Sequence, residues 1–300
     1  MAEKENVSLP LSCALFACFS AANSLICAPF GGNILPFSFA LLAGIIFIWL
    51  ASFAFFRLLG AKKNTVIKIC LILFCVFAFC AAGFSSAQYC EFIYRAVLTR
   101  SDMWAIKVVF ALCVFALALS NDFAIYKFAL LSALFSGAVF FVLFLLSSKT
   151  FDVQNLSGAF DVSGLSLSVF GEYFLKLILP TLVAVMFASL TDRSVPSAGA
   201  ICGACIGAGF CLAVVFDSVL SFGMPLSNKL RYTYIDDIST VTLGNLFTRM
   251  DAFAYFAFFA CYVLKCAVCI NVISKLLCIV GIKKKAPVAA VCAAAKMLFE

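Results

Sequence analysis

The chain has 300 residues, 65% of them hydrophobic and only 12% charged, with 36 phenylalanines, no histidine and a mean hydropathy of +1.16. Soluble domains run at about 45–50% apolar and about 25% charged, so a water-soluble domain is excluded and an all-α, polytopic integral membrane protein is implied. The net charge of +7 comes from basic residues scattered along the sequence and densest at Lys283 to Lys285, directly after an apolar stretch; that is a membrane-topology pattern, with no nucleic-acid partner implied.

The N-terminal Met-Ala-Glu-Lys-Glu lacks the positive region of a secretory signal, so the first apolar stretch reads as a retained helix. This first span runs from about Leu9 to Ala28 and stops at Pro29-Phe30-Gly31-Gly32. The second covers Pro36 to Leu58, with Arg57, Lys62 and Lys63 at its exit, and the third, Val66 to Tyr94, is long enough to tilt. Met103 to Leu119 is a short fourth span, joined through the minimal turn Asn121-Asp122 to a fifth at Phe123 to Ser147, so these two are antiparallel. Residues 148–169 form a first long loop before a sixth span, Phe170 to Leu190, with Pro180 at its midpoint. A seventh covers Pro196 to Leu220, a second long polar loop reaches Arg249, and an eighth runs from Asp251 to Val280. Ala286 to Phe299, interrupted by Lys296, falls below the roughly 20 residues a crossing needs and reads as a partial ninth segment. Residues 1–300 thus form one transmembrane domain.

Basic residues in the short loops, Arg57, Lys62, Lys63, Lys68, Arg193, Lys275 and Lys283 to Lys285, share one side when the N-terminus is cytoplasmic, which places both long loops outside. The sixteen cysteines lie almost entirely within apolar runs, as small buried hydrophobes do. Two CxxC spacings, Cys202/Cys205 and Cys266/Cys269, fall inside predicted spans, and without histidine they point to no metal site. No P-loop, GxSxG, HExxH or paired-carboxylate arrangement is present, so neither an enzyme nor a cofactor is expected.

Breaks in a spanning helix are tolerated only where protein or a water-filled cavity surrounds them. The first span carries a small, polar patch, Ser20 to Ser24, just before its proline, and the sixth carries Leu179-Pro180-Thr181. Transporters built on inverted repeats bind substrate at paired broken helices, whose open ends meet its charged groups. Ala22, Asn23, Ser24, Leu179, Pro180 and Thr181 are therefore candidate ligand-binding residues. Lys265 lies 14 residues beyond Asp251, about 21 Å along a helix and too deep for easy snorkelling. A charge there costs at least about 2.5 kcal/mol on insertion scales, so it is expected to face the bundle interior, a partner or a cavity. Gln88, Glu91 and Lys127 are candidates for a polar lining, with Glu91 and Lys127 near enough to helix ends to be interfacial instead. Gly199, Gly203 and Gly207 recur every four residues on one helix face, a ladder for close helix contact.

At Gly244-Asn245-Leu246-Phe247-Thr248-Arg249-Met250-Asp251, followed by the aromatic helix to Tyr262-Val263-Leu264-Lys265, the sequence resembles the spore germination permeases, the B subunits of endospore germinant receptors. Ser24-Leu25-Ile26-Cys27-Ala28-Pro29 is similar to that family's first-helix ending, and Glu91-Phe92-Ile93 with Arg100 to its third-helix exit. The resemblance implies the amino acid–polyamine–organocation superfamily and its leucine-transporter-like inverted repeat. It also implies the inner membrane of a spore-forming bacterium, and sensing of a small germinant, an amino acid above all, alongside A and C subunits. Ala22 stands where the family has glycine, the sixth span lacks its Gly-Glu pair, and the family's ten spans would leave the second repeat truncated within the ninth. A scaffold subunit without ligand binding and an amino-acid transporter are the alternatives on the same fold. A membrane thiol oxidoreductase using the CxxC pairs is the alternative from another class.

Overall fold

Hydrocarbon offers backbone amides no partner, so apolar runs of this length close their hydrogen bonds internally as helices. The computed structural model describes residues 8–24, 34–60, 65–96, 102–157, 159–160, 171, 180–191, 197–227, 230, 233–240 and 251–280. Its principal helices are α1 (Leu9–Ser24), α2 (Ile34–Gly60), α3 (Thr65–Ala96), α4 (Met103–Leu119), α5 (Asp122–Ser147), α6 (Thr181–Thr191), α7 (Ser197–Phe222), α8 (Thr233–Thr240) and α9 (Asp251–Val280). Short turns at Ser148–Thr150, Val153–Leu156 and Met224–Ser227 complete the described elements, and no strand occurs among them. By length and composition α2, α3, α5, α7 and α9 can each cross a membrane, and α1, α4 and α6 are shorter apolar helices among them. The chain is a multi-pass helical membrane bundle.

Helices α4 and α9 coincide with the fourth and eighth predicted spans, and α2, α3, α5 and α7 differ from theirs by only a residue or two at each end. Pro180 stands in a turn immediately before α6, its carbonyl accepting from the Val183 amide at 3.2 Å. Leu179, the turn at residues 29–32 and the apolar segment at 286–299 lie outside the described residues.

Short connections bring helix ends into two groups. At one end, the starts of α5 and α7 meet the ends of α4, α6 and α9, and Lys275 of α9 fastens them. Its ammonium lies 2.8 Å from Asp122 Oδ2, donates to Thr191 Oγ1 at 2.6 Å and sits over the Phe187 ring. Sequence alone makes Lys275 a loop charge that reports orientation; in the structure it is a clamp between α5, α6 and α9. At the opposite end, the Asp152 amide and the Asn155 side chain both donate to Leu220 O, and the Ile34 amide donates to Ala159 O.

The outer faces are apolar. On α2, Leu42, Ile46, Trp49 and Phe53 are exposed at helical spacing, and on α5 so are Leu131, Leu134 and Phe141, as lipid-facing surfaces are. Helix α9 is the central element, buried along most of its length and in contact with α1, α3, α4, α5 and α6.

The most extensive contact joins α1 to α7. A Cβ added at Gly199 would collide with Ser12, at Gly203 with the Cys13 carbonyl and Phe16, and at Gly207 with Ser20. The three glycines thus let the two backbones meet, whereas Gly209, on another face of α7, has nothing within 4 Å. Overpacking of this kind costs about 1–3 kcal/mol or more. Gly203→Leu is expected to lower the melting temperature of detergent-purified protein and to reduce folded yield, with Gly209→Ala unchanged; size-exclusion thermal melts check both.

Candidate functional site

The α1–α7 contact fixes where the last turn of α1 lies. Ala22 and Asn23 are buried there, and Ser24 is the final residue of the described helix. A cleft opens between α1, α2, α6 and α7, with Ser20, Asn23, Gly44, Thr181, Ala204 and Cys211 in its wall. Asn23 and Thr181, taken from the two candidate breaks, therefore line one cavity, and Pro180 directly precedes Thr181 in the turn before α6.

Lys265 reaches the same place from α9. Its side chain is 1% exposed, and its ammonium donates to Asn23 Oδ1 at 2.6 Å. A bond that joins positions 242 residues apart ties α1 to the central helix. The ammonium also lies 5.6 Å from the Tyr262 ring centroid, within cation–π range. Tyr262 belongs to an aromatic cluster with Tyr89 (5.1 Å), and Tyr89 in turn lies near Phe110 (5.2 Å) and Phe259 (5.8 Å), so α3, α4 and α9 share one rigid wall behind the lysine. A buried ammonium in such surroundings attracts a carboxylate more strongly than in water.

The remaining candidates fall elsewhere. Gln88 sits beside Tyr89 on α3, and its buried Oε1 receives no hydrogen bond from a donor among the described residues. Glu91 pairs with Arg95 one turn on at 2.8 Å, and both are partly exposed. Lys127 is exposed and stands over the Phe123 ring of its own helix. The structure thus brings Asn23, Thr181 and Lys265 together and leaves Glu91 and Lys127 in ion-pair and ring contacts near helix ends. Cys202 and Cys205 are exposed, and Cys202 faces Cys13 across the α1–α7 contact; Cys266 and Cys269 are buried, with the Cys266 thiol directed at Ala82 O.

Several polar groups escape a reading by breaks and charges. Asn271 is fully buried two turns after Lys265, and neither its amide nitrogen nor its oxygen has a hydrogen-bond partner among the described residues. Asp217, inside the seventh span, is also fully buried, and Asp237 meets it from α8. All three stand in the sequence as polar residues in or beside apolar stretches.

Compared with known families, residues 64–299 match the model described as spore germination protein. The chain belongs to the spore germination protein family. This is a family of permease-like germination proteins rather than a class of enzymes. The matched region takes in α3 through α9, and with them Thr181 and Lys265, while Asn23 lies on the N-terminal side of it. No curated protein matches the chain. Among the described residues no group of three or more His, Cys, Asp or Glu is placed to hold a metal ion.

Hydrogen bonds to charged groups contribute about 1.5–3 kcal/mol in proteins. A double-mutant cycle with Lys265→Met and Asn23→Leu is expected to show coupling of about 1–3 kcal/mol, above the roughly 0.6 typical of neutral interhelical bonds in membrane proteins. Thermal unfolding of the four proteins in detergent gives the value, and additive single effects would mean that the two side chains do not share a bond.

Proposed function

We propose that this spore germination family member is the membrane-embedded, permease-like subunit of a germinant receptor. It binds a small polar metabolite, an amino acid, in the cleft between α1, α2, α6 and α7. The observation that carries this reading is the Lys265–Asn23 bond, a deeply buried ammonium held behind Asn23, which lines a cleft whose other polar contributors include Thr181. A carboxylate arriving beside Asn23 competes for that ammonium, and any change there moves α1 against α9. Since α9 touches six of the other helices, displacement at this bond spreads through the bundle, and partner A and C subunits of the receptor read it out. The inner membrane of the spore is the location this role requires.

The scaffold reading shares the fold but gives Lys265 no task beyond stability. The two separate in spores of the native host deleted for the gene and complemented with wild type or with Lys265→Ala at equal protein level. Under the receptor reading, deletion removes the response to particular amino acids. Lys265→Ala then raises the concentration needed for half-maximal germination by about tenfold or more, equivalent to at least about 1.4 kcal/mol of lost interaction. A normal response from the variant would reduce Lys265 to a structural residue, and an unaltered deletion strain would sink the receptor role itself.

A further inference from the structure

At the end of the bundle away from the Lys275 clamp, α8 lies across α5, α7 and α9. Its buried residues are Thr233, Tyr234, Ile235, Asp237 and Ile238. Tyr234 rests on the Phe140 ring of α5 at 5.7 Å. Asp237 is directed into the junction with α7, where its carboxyl meets that of Asp217, and both are almost completely shielded from solvent.

The surroundings of this pair are specific. Asp217 Oδ1 accepts from Ser147 Oγ of α5 at 2.5 Å. Asp217 Oδ2 takes no hydrogen bond from a donor among the described residues and is the oxygen left for the other carboxyl. Ser221 of α7 donates to Asp237 and also lies 3.2 Å from Thr150 Oγ1. The partners that the pair has on α5 and α7 among the described residues, Ser147 and Ser221, are thus neutral hydroxyls. From α8 comes the Tyr234 phenol, pushed up by burial and by the two carboxyls, while its neighbour Asp236 is exposed. At the start of α9 Asp251 is engaged by the Tyr255 hydroxyl at 2.8 Å, Lys149 is exposed, and Asp152 accepts from the Gln154 amide. Lys229, Arg231 and Arg249 lie outside the described residues.

Two carboxyl groups hydrogen-bond each other only when one of them carries a hydrogen, because ionised carboxylates are acceptors alone. Two like charges in contact, away from water, repel strongly, and a single retained proton converts the repulsion into a hydrogen bond. We propose that Asp217 and Asp237 form a proton-binding site, a carboxyl–carboxylate pair sharing one hydrogen, which holds α8 onto the end of α7 and releases it when that proton is withdrawn to solvent. The charge of the pair then goes from −1 to −2, and the repulsion acts along the line that joins the two helices. The direction follows from Asp237, whose burial raises its carboxyl above the ordinary carboxylate range. A raised acid favours the neutral form in the folded chain, so this attachment is fully present below the ordinary range and is lost as pH climbs through the raised value. The site stands independently of the amino-acid cleft, whose wall includes residues of α7 but neither Asp217 nor Asp237.

The test uses the full chain in detergent micelles, with infrared spectroscopy reading the carbonyl stretch of protonated carboxyl groups. At neutral pH wild type is expected to carry one more protonated carboxyl per chain than either Asp217→Asn or Asp237→Asn, in potassium and in choline chloride alike. Equal signals in all three proteins overturn the proposal, as does a wild-type signal that potassium abolishes, which would make the pair a cation site. If neither variant folds, the wild-type titration decides alone: retention of the extra band above the ordinary carboxylate range supports the site, and its absence there rejects it. Hydrogen exchange supplies a second reading. Corrected for intrinsic rates, uptake across Thr233–Thr240 in wild type is expected to rise about tenfold between about pH 6 and about pH 9. In Asp237→Asn, where an amide donates to Asp217 at every pH, uptake stays flat; a parallel rise in the variant counts against the shared proton.

Discussion

Lipid chains are as apolar as the side chains they touch, so two helices in a bilayer gain little by hiding leucines from them and are held by close backbone contact and by polar bonds instead. In this bundle the contact of α1 with α7 sets the rest. Gly199, Gly203 and Gly207 remove the side chains that would hold α1 away, and Ser12, Cys13, Phe16 and Ser20 fill the space so made. With α1 seated on α7, its last turn arrives beside α9 at the depth of Lys265, and the cleft toward α2 and α6 is left between them. A wider separation of α1 and α7 would leave an uncompensated ammonium in the interior, a far larger penalty than a lost van der Waals contact.

Polar fastenings between helices stand at three levels of the bundle. Lys265 and Asn23 meet in the interior, Lys275 joins Asp122 and Thr191 at one end, and Ser147, Asp217 and Asp237 meet at the other. Each level links helices distant in sequence. The interior level couples α1 to α9, the first end couples α5, α6 and α9, and the second couples α5, α7 and α8. Between them lie aromatic and aliphatic contacts that have shape but little directionality. The level at which an amino acid is proposed to bind is thus bracketed by polar fastenings whose strength depends on charge.

The helices were legible because hydrocarbon thickness and backbone satisfaction leave few choices, and a long apolar run bounded by Pro, Gly or charge has one reading. The depth of Lys265 was legible for the same reason, by counting residues from Asp251. Its partner was not: nothing in the sequence says that position 23 meets position 265, because that depends on the angle at which α1 crosses α9. The small-residue ladder showed which face of α7 is approached closely, though not that α1 occupies it. The clamp at Lys275 was not legible, because near a helix end a fastening charge and a topology signal look alike in sequence. Asp217 and Asp237 went unmarked because each alone resembles an ordinary residue at the edge of a span; only the return of α8 onto α7 makes them neighbours.

The amide of Asn23 has two unlike ends. Its oxygen is turned to the lysine, so the amide's other polar end is an N–H group rather than a second acceptor. On the proposed reading, a ligand that approaches the nitrogen end of this amide meets a hydrogen-bond donor, with the ammonium behind it. Under the proposed role, the polarity of recognition at the end of α1 is in this way set by a residue on α9, which favours electron-rich groups there over cationic ones.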